Sequence, residues 1–408
     1  MWIRLRLDIG WLDLAYAILY GLLPGKREFA VQRARQSWNS QDDFLITLSV
    51  RSAFDLLLRA LQLPHGSEVL FSALTVPDMV RIAEMHGLVA VPVDTDQVGN
   101  VDSDSLRRAI SPRSKIVVVA HLYGGRAPLD DVFNIATENH LLVVEDCAQS
   151  YCCAGGPADP QSDIAMFSFG PIKTTTALGG AVVRVKSPAL HERMAALFAT
   201  DPIQSRTSFM RRVFRFAALK MISGKWFAAW TQFVVKQLGG DFDRLINSAV
   251  RGFSSANLLA QLRRQPSIPL LRLLERRWRF YDSRRIADRI QMGKYLDSCL
   301  GLQHVESHSY WIYPIFVPDP VTIRDRLRAA GFDATCQSRM TVVTVADDSR
   351  NPTSAIDCWK HILFLPWYPD LPQNAIHEMA IQIRSQAVET GPPGKTQRDI
   401  ESGSLNDG

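Results

Sequence analysis

The sequence has few cysteines, and their spacing argues against two classes of small, cross-linked domain. Six cysteines occur in 408 residues: Cys147, Cys152, Cys153, Cys299, Cys336 and Cys358. This spacing fits neither a zinc site nor the disulfide framework of a small secreted protein. We therefore expect reduced thiols and a cytoplasmic location. Cys147 is interpreted as a small packing residue, because free cysteine is among the most frequently buried residue types.

The chain also lacks a strong charge imbalance and a long hydrophobic run. Its formal net charge is +5, and it contains no zinc-finger, RNP or basic-zipper pattern, so we expect no nucleic-acid partner. The apolar stretch from Leu14 to Leu23 is too short to span a bilayer. Asp8 and Asp13 interrupt this segment and argue against a cleaved export signal. Residues 1–42 are instead predicted to form an amphipathic arm, which lies on the protein body or on a membrane surface.

The chain does contain a long alternation of helix and strand signals. With 408 residues, 47% of them hydrophobic, it can hold a large domain and a smaller one. Between residues 43 and 200, continuous apolar strands such as Lys115-IVVVAH and Leu141-LVVE alternate with helical patterns. Such strands are typical of a mostly parallel sheet that helices cover on both faces. The predicted fold class is therefore α/β, with residues 43–200 as the large domain.

The rest of the chain is predicted to contain three further parts. Residues 201–290 read as a basic, amphipathic and helical connection, interrupted near Pro266 and Pro269. Residues 291–386 read as a smaller C-terminal α/β domain. Residues 387–408 have the composition of a disordered tail.

Four polar residues stand at points where the strands of the large domain end. Asp146 closes an apolar strand, Gln149 follows three residues later, and Ser168 precedes Lys173 by five residues. An acid can pair with a pyridinium nitrogen, a serine can hold a phosphate, and a lysine can form a Schiff base. Because ligands of open α/β sheets bind at the carboxyl ends of strands, this placement predicts a site for pyridoxal 5'-phosphate, with Lys173 catalytic.

Each of these residues also has an ordinary structural interpretation. Lys173 could be a surface lysine after a proline turn, and Asp146 could cap the following helix. Gln149 could be an exposed polar residue, and Ser168 could satisfy the strand backbone. Their occurrence together in one order favours the cofactor site.

A phosphate needs more than one donor, and a second group of candidates lies near residue 50. Ser52 is predicted to open a helix, with Asp55 three residues on as in a capping box. Free N–H groups at that helix start would suit an anion. Arg51 would add a charged fork to the same place. A plain helix cap beside an exposed Arg51 remains the alternative.

Several segments resemble the sugar aminotransferases of the DegT/DnrJ/EryC1/StrS family. The matching segments are Ser52-AFDLLLRAL, Glu68-VLFSALT, His121-LYGG, Glu145-DCAQS, Phe167-SFGPIK, Gly179-GAVV and Phe364-LPWYPDLP. The resemblance implies the fold-type I pyridoxal-phosphate architecture and a homodimer. It also implies transfer of an amino group from a small-molecule donor, with glutamate the family's habit, to a keto group of a sugar, which could be nucleotide- or lipid-linked. Asn247 would match the asparagine that a partner subunit lends to the phosphate.

The sequence departs from the family pattern around the substrate and the partner subunit. Val76 stands where relatives have an aromatic ring, Val50-Arg51 replace Gly-Thr, and Ala249 takes the place of an arginine. These departures leave two rivals open: a non-catalytic scaffold or sensor protein, and an enzyme that eliminates or dehydrates. The second rival is disfavoured because relatives that dehydrate sugars replace the lysine with histidine.

The segment from Phe209 to Leu238 is rich in basic and aromatic residues, and no acid occurs between Asp201 and Asp241. It is predicted to form one or two basic amphipathic helices, broken near Ser223-Gly224. These helices could cover the sheet or form a dimer interface. They could also make peripheral contact with an anionic membrane.

Overall fold

The structure is a computed structural model, and it describes residues 2–4, 7–38, 43–96, 99–151, 158–222, 257–303, 308–336, 340–345 and 350–387. Three predictions fall outside these ranges: the site residue Asn247, the part of the basic segment beyond residue 222, and the tail beyond Ala387.

A seven-stranded sheet organises the large domain, in the order β1-β8-β7-β6-β5-β2-β4. The strands are β1 (Phe44–Thr47), β2 (Glu68–Ser72), β4 (Val89–Val93), β5 (Ser114–Ala120), β6 (Leu142–Asp146), β7 (Ile164–Ser168) and β8 (Ala181–Val185). The five strands from β7 to β4 are parallel, and β8 and β1 extend the sheet by antiparallel pairing. A mostly parallel α/β sheet was the predicted fold class.

Helices cover both faces of this sheet, and alternate residues of one strand enter different cores. Phe167 packs in one core with α1 (Trp11–Leu22), α2 (Arg27–Trp38), α8 (Arg206–Ile222) and α10 (Ile268–Arg279). Met166 packs in another with α3 (Val50–Leu61), α4 (Pro77–Met85), α7 (Pro188–Thr200) and α9 (Leu258–Leu262). The far part of the first face is covered by α5 (Ser103–Ala109) and α6 (Asp130–Glu138). Burial on both faces explains why these strands are apolar throughout.

The N-terminal helices are fixed by charge as well as by apolar packing. α1 contacts α8 and α10, and α2 contacts α10. Asp13 of α1 accepts hydrogen bonds from Arg276 Nε and Arg277 Nη1, each at 2.7 Å. Burial alone would raise the pKa of Asp13, but the two guanidinium groups lower it below its ordinary value. The acid that seemed only to interrupt an apolar stretch therefore anchors the helix.

The C-terminal part forms a separate core beside the sheet. Here β9 (Tyr313–Phe316) pairs antiparallel with β11 (Ile362–Leu365), and β10 (Thr341–Val342) pairs with β3 (Leu74–Thr75). The helices are α11 (Arg284–Leu300), α12 (Pro320–Ala329), α13 (Thr353–His361) and α14 (Gln373–Ala387). The basic helical connection breaks at residues 263–267 and again at 280–283. Pro269 does not interrupt it, because this proline lies in the first turn of α10.

Candidate active site

Asp146 and Ser168 end two neighbouring parallel strands of the sheet. β6 finishes at Asp146 and β7 at Ser168, and Asp146 pairs with Met166 in the register of the two strands. Both side chains therefore emerge at the carboxyl edge, where open α/β sheets bind ligands. The Ser168 hydroxyl oxygen accepts the N–H of Gly170 at 3.4 Å, so its own proton is available to an anion.

The carboxylate of Asp146 is buried and lies within electrostatic range of Lys173. Burial raises the pKa of Asp146 above its ordinary value, while the Ala148 N–H and the charge of Lys173 oppose that rise. Oδ1 accepts the Ala148 N–H at 3.0 Å. A buried acid at a sheet edge, with a lysine close by, is suited to hold a cationic ring N–H.

A fully buried polar network lies behind Asp146. The Glu145 carboxylate accepts from His121 Nε2 at 2.8 Å, from Asp159 N–H at 2.8 Å and from the hydroxyl of Ser162. His121 Nδ1 accepts the Ala127 N–H at 3.0 Å, so Nε2 is the nitrogen that carries the proton. His121, Glu145 and Cys147 place their ligand-type atoms within 4.8 Å of one another, but the hydrogen bonds already account for this contact. The network fixes the strand end from which Asp146 projects.

Lys173 lies in a turn whose backbone is held in unusual conformations. Its N–H donates to Gly170 O at 3.1 Å. Thr175 and Leu178 have φ values of 45° and 62°, in the left-handed region that costs a β-branched residue most. Arg289 Nη1 donates to the hydroxyl of Thr174 at 3.1 Å and fixes the turn from α11. Such strain is found preferentially at functional sites, where surrounding contacts hold it.

Trp311 contacts Lys173, although the sequence alone predicted no role for this tryptophan. The Lys173 ammonium lies 4.0 Å from the centre of the Trp311 ring, a cation–π contact. The indole N–H donates to Ile172 O at 3.0 Å, which fixes the ring. The aromatic run at residues 310–313 is the signal in the sequence that could have indicated this residue.

Gln149 is held between the large domain and the C-terminal part. Its Oε1 accepts the N–H of Tyr123 at 3.0 Å, and its Nε2 lies 3.5 Å from Met340 Sδ. Tyr123 has a φ of 60° and is buried, and its hydroxyl finds no hydrogen-bond partner among the described residues. Gln149 thus has contacts that an exposed loop residue would lack.

The prediction that Ser52 opens a helix with Asp55 as its capping partner was wrong. α3 begins at Val50, and its N-cap is Ser49 rather than Ser52. The Oγ of Ser49 accepts the Ser52 N–H at 3.1 Å. Asp55 instead accepts from His86 Nε2 at 2.9 Å and from Arg263. Ser49 was missed because Ser52 also fits the capping pattern, and only tertiary contacts show which serine the helix uses. The amide of Val50 therefore precedes the first intrahelical bond, from Ala53 N–H to Ser49 O.

Arg51 lies in the first turn of α3. Its charge acts on a second arginine, Arg212, which was not among the predicted site residues. Arg51 forms an ion pair with Asp78 at the start of α4. Arg212 of α8 donates from Nη1 to Leu178 O at 3.1 Å. Burial and the nearby charges of Arg51 and Arg215 lower the pKa of Arg212 to about 10. The charge of Arg51, in the first turn of α3, thus acts on the Arg212 guanidinium.

The loop that carries Leu178 joins this arginine pair to the strand ends. Gly179 N–H donates to Phe169 O at 3.0 Å, directly after Ser168, and Gly180 N–H donates to Leu48 O at 2.9 Å, directly before Ser49. A Cβ on Gly179 would lie 2.9 Å from Arg212 Nη1, so glycine permits this close approach. The end of β7, the start of α3 and Arg212 therefore meet at one place.

Comparison with known proteins shows a similarity to one protein family in part of the chain. Residues 37–222 match the model of the DegT/DnrJ/EryC1/StrS aminotransferase family, which confirms the predicted resemblance. The erythromycin biosynthesis sensory transduction protein EryC1 of Saccharopolyspora erythraea is 36% identical over 149 residues, which are 36% of this chain and 41% of that protein. GDP-perosamine synthase of Caulobacter vibrioides is 30% identical over 149 residues, 36% of this chain and 40% of that protein. The matches thus span about two fifths of the length of these relatives.

Comparison with solved structures extends the similarity of fold to nearly the whole chain. The sugar aminotransferase CalS13 of Micromonospora echinospora superposes with a TM-score of 0.68 at 18% identity, covering 95% of this chain and 100% of that one. At this identity the match shows the fold, which is the one shared by sugar aminotransferases of this kind. The predicted fold class is confirmed.

Proposed function

We propose that this chain, a relative of the DegT/DnrJ/EryC1/StrS aminotransferase family through residues 37–222, is a pyridoxal-phosphate-dependent aminotransferase. The observation that carries the proposal is that buried Asp146 and Ser168 end neighbouring parallel strands at one sheet edge, with Lys173 in the turn that follows Ser168. An acid, an amine and a hydroxyl at one edge are the donor set that this cofactor requires.

The residues present fit the cofactor on the side of its ring. Pyridoxal phosphate, when bound, supplies an electron sink for the carbon that exchanges its amino group. Asp146 would keep a proton on the ring nitrogen, because its carboxylate is buried and lacks water to compete for that proton. Glu145 and His121 would hold the strand end in place for this contact. Gln149 would lie beside the ring, with its amide fixed by Tyr123.

Lys173 would bind the cofactor through Nζ and then move protons at the reacting carbon. Its position is fixed by the backbone bond to Gly170 O and by the Trp311 ring. Trp311 would also exclude water from one side of the amine, since its ring is buried. A rigidly placed amine is what efficient proton transfer needs.

The phosphate would be bound at the place where β7, α3 and α8 meet. Ser168 can donate its hydroxyl proton, and the first turn of α3 presents the amide of Val50. Arg51 and Arg212 would add positive charge in place of the neutral Gly-Thr pair of relatives. Ser52 would then help indirectly, because its N–H is already bonded to Ser49 Oγ. Asn247 stays a prediction for the same phosphate.

The amino acceptor is proposed to be a keto group of a sugar, nucleotide-linked or lipid-linked, and the donor glutamate. GDP-perosamine synthase and the sugar aminotransferase CalS13, both similar to this chain, support the sugar by their names. The positions that depart from the family, Val76 and Val50-Arg51, line the start of α4 and of α3. They leave the choice of sugar to experiment.

Trapping of the cofactor tests the proposal. Purified protein incubated with pyridoxal phosphate should develop a visible absorbance band that borohydride removes, and peptide mass spectrometry should then find the cofactor on Lys173. The Lys173→Ala variant should lose the adduct, while Lys115→Ala, at a half-buried lysine of β5 whose Nζ donates to Pro112 O, should keep it. Glutamate should remove the band and yield 2-oxoglutarate. A wild-type protein that binds no cofactor would refute the proposal.

A sensor or scaffold without catalysis is the second candidate function. One observation favours it: the relative from Saccharopolyspora erythraea is named a sensory transduction protein. The kept Lys173, Asp146 and Ser168 oppose it. The glutamate step separates the two candidates, because a sensor would form the absorbance band without converting any amino donor.

Assembly and location are proposed on the same basis. We propose a cytoplasmic homodimer, with the large domain at 43–200, the connection at 201–290 and the small domain at 291–386. Peripheral membrane contact through residues 209–238 is supported by α8, which exposes Phe214 and Met221 together with Arg211. Charge reversal by Arg211→Glu and Arg215→Glu should weaken binding to anionic vesicles. Equal binding of the variant would contradict this contact.

A further inference from the structure

The first helix of the chain buries its charged residue and exposes several large apolar side chains. α1 contains one charged residue, Asp13, and this residue is buried against Arg276 and Arg277. Leu14 and Ala17 pack in the core, but four large apolar residues of the same helix face solvent: Trp11, Leu12, Leu19 and Leu22 are 55%, 78%, 51% and 72% exposed. In a soluble protein, a surface helix ordinarily directs its large apolar residues to the core and its charged residues to solvent.

The exposed apolar surface continues onto the neighbouring helices. Leu23 follows α1, Phe29 lies in α2, and α8, which contacts α1, exposes Phe214, Met221 and Ile222. These residues, together with those of α1, are called the apolar face below. Several exposed large apolar side chains on helices that pack together are typical of an interaction site.

Positively charged residues are placed around this face by direct contacts. Lys220 Nζ lies 5.9 Å from the centre of the Trp11 ring, and Lys26 Nζ lies 6.0 Å from that of Phe29. Arg206 Nη1 donates to Leu23 O at 2.6 Å. α8 also carries the exposed Arg211 and Arg215, whereas its Arg212 is directed to Leu178 O; the exposed acid in α1, α2 and α8 is Glu28. The surroundings of the face are therefore strongly basic.

We propose that the apolar face, with α1 at its centre, docks on the surface of an anionic lipid bilayer. The proposal extends the membrane contact proposed for residues 209–238, on which it rests through α8, and it does not depend on the proposed activity. Apolar side chains would enter the boundary between headgroups and acyl chains, and Lys26, Arg206 and Lys220 would bind lipid phosphates.

The length of α1 and the kinds of residue favour lipid as the occupant. Twelve residues of helix measure about 18 Å, less than the hydrocarbon core, so α1 would lie in the plane of the surface. No helix in the ranges that the structure describes is long and apolar enough to cross a membrane. A tryptophan beside lysines is typical of the membrane interface. A protein partner would need an acidic rim, which a second copy of this basic face does not offer.

Vesicle sedimentation of the full chain tests the proposal. Vesicles of phosphatidylcholine alone and of equal parts phosphatidylcholine and phosphatidylglycerol are mixed with the protein at low salt and centrifuged. Wild-type protein should sediment with the anionic vesicles. The triple variant Leu12→Gln/Leu19→Gln/Leu22→Gln should bind on the order of tenfold more weakly, because each leucine loses apolar burial. Lys26→Glu/Lys220→Glu should also bind more weakly, and added salt should weaken the wild type.

The control replaces two other exposed apolar residues, which lie in the C-terminal part of the chain. Leu302 and Ile381 are 53% and 52% exposed, and Leu302→Gln/Ile381→Gln should bind vesicles like the wild type. All variants should unfold at the wild-type temperature, since the replaced side chains are exposed.

Three results would overturn the proposal. If wild-type protein stays in the supernatant with anionic vesicles, both membrane contacts are wrong, while cofactor trapping on Lys173 would still decide the proposed activity. If the leucine variant sediments like the wild type, α1 is not the docking element, and the contact through 209–238 stands alone. If vesicles have no effect and the leucine variant turns a dimer into monomers in analytical ultracentrifugation, a second copy covers the face.

Discussion

Replacing Arg212 by alanine gives the sharpest test of the proposed phosphate site. Arg212 comes from α8, far in sequence from the strand ends, yet its guanidinium lies at Leu178 O beside Gly179. A hydrogen bond to a charged group contributes about 1.5–3 kcal/mol. Because about 1.4 kcal/mol corresponds to a factor of ten, Arg212→Ala should weaken binding of pyridoxal phosphate about 10- to 150-fold.

The assay compares two ligands that differ only in the phosphate. Pyridoxal phosphate and pyridoxal are each titrated into cofactor-free protein, and binding is followed by the visible absorbance. Arg212→Ala should weaken the phosphorylated ligand and leave pyridoxal within about twofold of its wild-type affinity, a difference below 0.5 kcal/mol. Inorganic phosphate should compete with pyridoxal phosphate in the wild type and less well in the variant.

Arg211 is the matched control, because it is the neighbouring arginine on the same helix and faces solvent. Arg211→Ala should bind both ligands like the wild type. The reasoning is refuted if Arg212→Ala weakens both ligands equally, which would indicate a general loss of structure, or if it weakens neither. Thermal unfolding of both variants shows whether the lost bond to Leu178 O affects folding.

Three further changes should affect stability in stated directions. Asp13→Asn should cost about 3 kcal/mol, because it leaves Arg276 and Arg277 without their buried carboxylate. Since the folded-state pKa of Asp13 is lowered, its contribution is present above the unfolded pKa and is lost as pH falls; identical unfolding-against-pH curves for variant and wild type would contradict this. Asp146→Asn should raise the stability of the cofactor-free protein at neutral pH, because burial raises the folded-state pKa and the wild type loses stability as pH rises through it; a variant less stable than the wild type at pH 8 would count against this. Gly293→Ala in α11 should cost about 1–3 kcal/mol in thermal unfolding, because the new Cβ would lie 2.5 Å from the buried Tyr310 ring, whereas exposed Gln291→Ala should be neutral.

The strands and their terminal residues could be predicted from the sequence alone. A parallel strand buried on both faces must be apolar throughout, so β5 and β6 stand out in the sequence. The polar residue that follows such a run lies at the sheet edge by geometry. Asp146 and Ser168 were predicted as strand-end residues in this way, and the structure places them there. The role of Lys173, five residues after Ser168, stays a prediction.

Helix starts were less determinate. Ser49 and Ser52 both fit the capping pattern, and local sequence does not rank them. The choice was made by Asp55, which Arg263 binds from more than 200 residues away in the chain. A residue engaged in a tertiary ion pair is not available as a capping partner.

The sequence by itself determined the α/β class and the polar residues that end the strands at the sheet edge. Only the tertiary structure placed Trp311 against Lys173 and brought Arg212 to Leu178 O. It also decided which apolar residues of α1 are exposed to solvent. The physical reason is range. Strand pattern and strand ends follow from neighbours in the chain, whereas the partner of a buried charge is set by packing. Asp13 shows this directly: its arginine partners in α10 hold it on the buried face of α1 together with Leu14 and Ala17, while Trp11 and Leu12 are exposed.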